Sequence, residues 1–218
     1  MNAFDLPFNE LPASLPVFPL TGVLLLPRGR LPLNIFEPRY LAMISDAMGD
    51  GRIIGMLQLT NPSSQDANPS VYQTGCAGRI VKFEETDDGR FLITLLGLNR
   101  FKIRDELPLK RGYRSVITDW TPYRHDLDQP EASEIDRARL LAGLRGYFEL
   151  RGIRVDWENV EEADDERLVN MVAMVCPFKP LEKQALLEAE DLDARAKTLI
   201  TLVEMAVLST AGDDNAQQ

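Results

Sequence analysis

Few side chains in this chain are equipped for bond-making chemistry, and their spacing narrows what they can do. His125 is the only histidine, and the two cysteines, Cys76 and Cys176, lie far apart with no second thiol near either. A zinc site draws on several closely spaced Cys, His or carboxylate ligands, and a serine triad needs an imidazole beside its nucleophile. Neither is supported here. His125 stands among Tyr123, Arg124 and Asp126 in a proline-flanked stretch that reads as solvated surface, and the cysteines read as small buried apolar residues. Adjacent carboxylates occur at Glu84 with Glu85 and at Asp87 with Asp88. Neighbours on a strand point to opposite faces, so the first pair cannot converge on a substrate, and the second falls on a hairpin tip. GDGRIIG at 49–55 follows a helix and opens a strand, the reverse of the order that brings a phosphate to a helix N-terminus. Gly-Lys-Ser/Thr, Ser-x-x-Lys and Gly-x-Ser-x-Gly are all absent, which removes the phosphate-loop ATPases and the common serine nucleophiles. The sequence therefore predicts no catalytic residue, no cofactor and no metal.

One constellation remains. Glu37, Arg39 and Tyr40 stand where an extended segment runs into a helix, and Arg100 is a further cation that can join them. Arg39 can hold a peptide carboxylate, while Tyr40 offers an apolar face with a polar tip. These four are the candidate peptide-binding residues. In the competing reading, Glu37 and Arg39 pair with each other or with Arg100 to fix the helix on the sheet, and Tyr40 is core.

The elements that must position them start from LPVFPLTGVLLLPRGRLPLNIFEPRY at 15–40. Pro16, Pro19, Pro27, Pro32 and Pro38 interrupt an apolar run that would otherwise be long enough for a helix, since proline lacks the N–H donor and clashes with the preceding turn. Short strands follow instead, expected over 17–20, 23–26 and 31–36. Pro38 suits a first helical turn, and Tyr40, Met43, Ile44 and Ala47 give residues 39–48 one apolar face. Strands are expected over 52–59, 73–85, 90–98, 101–104 and 113–120, with Asp87-Asp88-Gly89 as a hairpin turn and Gly75, Gly78 and Gly97 as bulges or close backbone approaches. Thr60–Ser70 reads as a turn-rich surface loop.

Residues 121–129 (TPYRHDLDQ) read as a polar linker. Beyond it Asp128 can cap a helix through Pro130 and Glu131, lined by Ile135, Ala138, Leu141, Leu144 and Phe148. A second helix capped by Asp164 or Asp165 carries Leu168, Met171, Val172 and Val175; Pro180 opens a third, and Asp191 or Asp193 a fourth. The net charge is −10, and residues 155–193 hold twelve Asp and Glu against three Lys and Arg. That balance argues against a nucleic-acid backbone as partner, which is bound through clustered cations. No apolar run reaches the roughly 18 residues of a membrane span, and MNAFDLPFNE lacks the pattern of a signal peptide, which places the expected protein in the cytoplasm.

LPVFPL, then LLLP, then LPLNIFEPRY running into a helix, resembles the opening of the Lon protease N-terminal domain. GCAGRIVKF, the DDG hairpin, LLGLNRFKI, YRSVITDW and the helical MVAMVCPFKPLEKQALLEAE continue the likeness from about 15 to 208. The resemblance implies an α+β fold: a PUA-like β pseudo-barrel with one short helix over 1–121, then a helical bundle over 130–210, with 211–218 as a disordered tail. It implies a protein- or peptide-recognition module, without ATPase or peptidase, that binds protein or unfolded polypeptide segments as an adaptor or regulator in protein quality control. The alternative it raises is RNA binding of the PUA type, through Arg79, Lys82, Arg100, Lys102, Arg104, Lys110, Arg111 and Arg114 on the later strands.

Overall fold

The computed structural model describes residues 6–64, 66, 68–128 and 134–215, with side-chain surroundings as far as 209. It divides into two compact units, Met1–Gln129 and Pro130–Gln218. The first is built on six strands: β1 (Ser14–Pro19), β2 (Arg30–Ile35), β3 (Ile53–Leu57), β4 (Thr74–Glu85), β5 (Phe91–Lys110) and β6 (Tyr113–Asp119). Helix α1 (Pro38–Gly49) lies between β2 and β3 in the chain and buries Tyr40, Met43, Ile44 and Ala47, the face that its spacing predicts.

The sheet order is β2-β5-β4-β3-β1-β6, and β6 returns to pair with the second half of β5. A ring of strands results, flanked by β2, in a pseudo-barrel arrangement. Among the described strands only β1 and β3 run parallel; the other pairings are antiparallel. Leu15, Val17, Ile53, Leu57, Ala77, Phe101, Val116 and Trp120 fill the interior, with the Phe101 and Trp120 rings edge-on at 5.6 Å.

The strand expected over 23–26 does not form. Leu24, Leu25 and Leu26 are 2%, 1% and 0% exposed, yet they run as an irregular segment between a turn at Gly22 and another at Pro27 and Arg28. Their backbone instead crosses β5 at Gly97, whose N–H donates to the Gly29 carbonyl at 2.8 Å while the Arg28 N–H donates to the Gly97 carbonyl at 2.9 Å. A methyl group on Gly97 would stand 2.0 Å from the Leu26 carbonyl oxygen, the close approach that a strand glycine signals.

The linker expected over 121–129 is folded into the first unit as a 3-10 helix, Thr121–Leu127. Its anchor is Asp126, 5% exposed, whose carboxylate takes the Arg100 N–H and Nε at 2.9 Å and Nη2 at 2.7 Å. The Arg100 guanidinium lies 4.3 Å over the Tyr123 ring, and Arg28 donates to the Asp126 carbonyl at 2.7 Å. An arginine cannot shed its charge on burial, so the segment that brings its counter-ion is drawn inward. His125, read as surface, is half-exposed, with Nε2 3.2 Å from Arg100 Nη2.

The second unit holds α2 (Arg137–Leu150), α3 (Trp157–Glu162), α4 (Asp165–Val175), α5 (Pro180–Glu188) and α6 (Leu192–Asn215). Pro130 and Glu131, the expected helix start, lie outside the described residues, and so do residues 216–218 of the expected tail. Asp136 rather than Asp128 caps α2, accepting from the Arg139 N–H at 3.0 Å. Asp164 caps α4 at 2.8 Å and Asp191 accepts from the Ala194 N–H at 2.7 Å, so part of the acidic run serves to satisfy helix starts. The face of α4 is rotated from its expected position: Met171 and Val175 are exposed, while Val169, Asn170 and Ala173 are buried. Its sequence is apolar on more than one face, so spacing alone does not choose between them. Arg195, reaching Asn170 Oδ1 at 3.2 Å and the Leu186 carbonyl at 3.0 Å, holds the observed orientation. Ala138 of α2 is likewise exposed, and Leu140 and Tyr147 are buried beside Leu144 and Phe148.

Cys76 and Cys176 are free and buried. Burial pushes the Cys176 thiol up to about 11. The native chain is expected to react with a thiol reagent at Cys176 about a hundredfold more slowly than the urea-unfolded chain at pH 8, the ratio set by the thiolate fractions. Equal rates would show the thiol to be open to solvent.

Candidate functional site

Glu37 precedes α1 in extended conformation, and its carbonyl accepts from the Tyr40 and Leu41 N–H groups at 2.9 Å. Pro38 occupies the first turn, where no N–H is needed. Arg39 folds back, with Nε and Nη2 both 3.0 Å from Glu37 Oε2, and lays its guanidinium 4.6 Å over the Tyr40 ring. Tyr40 packs in turn on Phe18 of β1, ring centres 4.3 Å apart. The structure thus brings Glu37, Arg39 and Tyr40 together. Arg100 is not with them: it is 1% exposed and closed around Asp126, which makes it a brace for residues 121–127 rather than a group facing a peptide.

Two segments complete a pocket beside these residues. The β5–β6 hairpin turns through Arg111 (φ 51) and Gly112 (φ 86), and an added Cβ at Gly112 would press on Arg39 Cβ at 3.3 Å. Positive φ at both positions matches the tight two-residue hairpin turn, which arginine tolerates poorly. Here Arg111 is held by Asp46 of α1 at 2.6 Å. The 60–70 loop is closed by the Leu59–Val71 bridge and by Thr60 N–H to the Ser70 carbonyl at 3.0 Å. Arg114 of β6 clamps that loop, donating to the Pro69 carbonyl at 2.6 Å while Glu106 takes Nη2 at 2.5 Å. Pro19, Arg39, Tyr40, Leu59, Asn68, Pro69, Gly112, Tyr113 and Arg114 surround about 70 Å³ of open space. Sequence reasoning missed Asn68, Pro69 and Tyr113 and took Arg114 only as part of a basic patch; nothing local signals that a loop and a hairpin distant in sequence meet at α1.

Electrostatics around the pocket is organised by Asp46. The hydrogen bond from Tyr113 (2.7 Å), with Lys110 and Arg111 beside it, holds its carboxyl at about 2 against an ordinary 3.8, although burial acts the other way. A depressed carboxyl stabilises the fold above its unfolded value and loses that contribution as pH falls through the folded one. The stability gap between the native chain and Asp46→Asn is therefore expected to be constant above about pH 5 and to close towards pH 2, read by urea unfolding. A gap that does not change with pH would remove Asp46 as the tie between α1 and the hairpin.

Among the described residues, no group of three or more His, Cys, Asp or Glu is placed to hold a metal, and no helix is long and apolar enough to cross a membrane. Several of the basic residues on the later strands are matched by carboxylates: Lys82 by Glu84, Arg100 by Asp126, Lys110 and Arg111 by Asp46, and Arg114 by Glu106.

The family model for the substrate-binding domain of the ATP-dependent protease La (Lon) matches residues 14–205. The chain belongs to this family. The Lon protease of Flavobacterium johnsoniae is 29% identical over 195 residues, covering 86% of this chain and 23% of that protein. Lon protease 2 of Myxococcus xanthus is 28% identical over 202 residues, covering 89% of this chain and 24% of that protein. The chain thus spans about a quarter of the length of these curated relatives. Among solved structures, the Lon N-terminal domain protein from Xanthomonas campestris superposes with a TM-score of 0.59 at 22% identity, covering 86% of this chain and 97% of that one. The N-terminal domain of Mycobacterium avium complex Lon protease gives 0.59 at 18% identity, covering 87% and 97%. These likenesses establish the fold: a Lon N-terminal domain of α+β class.

Proposed function

We propose that this Lon-type domain is a cytoplasmic polypeptide-recognition module without catalysis of its own, serving as an adaptor or regulator in protein quality control. The observation that carries the reading is the match of residues 14–205 to a domain family described by substrate binding. Two free buried thiols accord with a reducing compartment. The first unit offers two means of holding an extended segment. Among the described strands β2 pairs with β5 on one side only, which leaves its outer edge for an added strand, although Pro32 brings no N–H donor to it. The pocket of Arg39 and Tyr40 offers a receptor for one side chain or chain end, with Glu37 orienting the guanidinium. Phe36, 61% exposed next to these residues in sequence, adds apolar surface.

The test is fluorescence polarisation with a labelled, permanently unfolded polypeptide against the folded chain. Binding in the micromolar range, lost on Arg39→Ala with an unchanged melting temperature, is the expected result. No binding at about 100 μM protein, a level at which ordinary peptide recognition saturates, would overturn the reading. Retention of RNA that weakens steeply with salt would favour the RNA-binding alternative.

A further inference from the structure

We propose that the pocket between α1, the 60–70 loop and the β5–β6 hairpin is a carboxylate subsite, which takes the acidic end or an acidic side chain of a bound polypeptide; this rests on the recognition reading above. Three observations lead there. The polar residues that line the pocket are donor-rich: Arg39, Arg114, Tyr40, Tyr113 and Asn68. Tyr40 is only 6% exposed, and its hydroxyl has no hydrogen-bond partner among the described residues, although it lines the pocket. The hydroxyl is open to solvent rather than enclosed, so it is available to a group that enters the pocket. Lastly, the space of about 70 Å³ admits a group of a few water volumes, enough for a carboxylate and its methylene.

The cations are already oriented. Glu37 holds Arg39 through Nε and Nη2, and Glu106 holds Arg114 through the same edge while Nη1 anchors Pro69. These pairs fix the planes of both guanidiniums, so a carboxylate arriving from solvent meets donors that lose little freedom on binding. The charged residues that line the pocket are both cations, Arg39 and Arg114, each with a carboxylate beside it in Glu37 and Glu106. In a chain of net charge −10 this lining would select an acidic group against a neutral one. Pro19, Leu59 and Pro69 supply an apolar rim for the chain leading to that group.

The experiment uses the whole isotope-labelled chain and three small compounds followed by NMR: N-acetylglycine for a chain-end carboxylate, N-acetylaspartate amide for a side-chain carboxylate, and N-acetylglycinamide as the neutral control. The expected result is saturable shifts at Arg39 Nε, Arg114 Nε and the Tyr40 ring with one or both acids and none with the control. Whichever acid binds more tightly identifies the source. Tyr40→Phe, which keeps the ring on Phe18, is expected to weaken the preferred acid about fivefold, the usual worth of one hydrogen bond. Equal response to all three compounds, no localised shift up to about 100 mM, or an unchanged affinity in Tyr40→Phe would overturn the subsite. Because these compounds need no polypeptide contact, the subsite can fail while unfolded polypeptide still binds, and can stand if polypeptide binding is lost.

Discussion

Asp126→Ala is expected to cost the first unit about 3–5 kcal/mol, the range found when one partner of a buried ion pair is removed. Arg100 would remain, 1% exposed and unable to lose its proton, with its backbone N–H and two guanidinium nitrogens deprived of their acceptor. The melting temperature should fall by about 10–15 °C. Asp126→Asn should lose nearly as much, since an amide presents only one acceptor to a bidentate fork. The informative partner is the double variant Arg100→Met with Asp126→Leu. Apolar groups of similar size often replace a buried pair with little loss, so it should recover much of the stability. A loss below about 1 kcal/mol in Asp126→Ala, measured by urea unfolding, would mean the pair is hydrated and the 121–127 segment is not anchored through it.

The second large effect is at Gly97. Its Cβ position is 2.0 Å from the Leu26 carbonyl oxygen and 3.3 Å from Pro27 Cα, so Gly97→Ala drives backbone against backbone, where no rotamer change relieves the overlap. The 24–26 segment would have to lift off β5, exposing leucines that are now almost fully buried and breaking the bonds at Arg28 and Gly29. A loss of about 4 kcal/mol or more is expected, against a change within about 0.5 kcal/mol for Gly49→Ala, where nothing stands within 4 Å of the added methyl group. If both variants unfold at the same urea concentration, the crossing at Gly97 is not as drawn.

Much of the first unit was legible from proline and glycine placement. Pro38 located the start of α1, Asp87-Asp88-Gly89 the hairpin, and the run of five prolines ruled out an N-terminal helix. Strand glycines correctly signalled close approach, but no local pattern says which segment approaches; that is why residues 23–26 read as a strand. Helix faces were legible where polar residues alternate cleanly, as in α1, and not in α4, where apolar side chains occupy several faces and a distant arginine decides. Of the candidate site, the sequence located Glu37, Arg39 and Tyr40 because they sit together at one junction. Arg100 was misplaced because its partner lies in a polar, proline-flanked stretch that local composition marks as linker. The remaining pocket residues come from a loop and a hairpin whose meeting at α1 is a matter of topology.

The pairing of the first strand with the last has a temporal side. Ser14 stands opposite Ile117 and Val17 opposite Arg114, so during synthesis β1 has no antiparallel neighbour until β6 leaves the ribosome, about 5–20 s later at ordinary elongation rates. Strand β3 covers one edge of β1 earlier, about 40 residues on, but the other edge stays bare until β6 arrives and is of the kind that recruits other nascent chains. Pro16 and Pro19, which withhold donors from any such encounter, guard the segment while it waits.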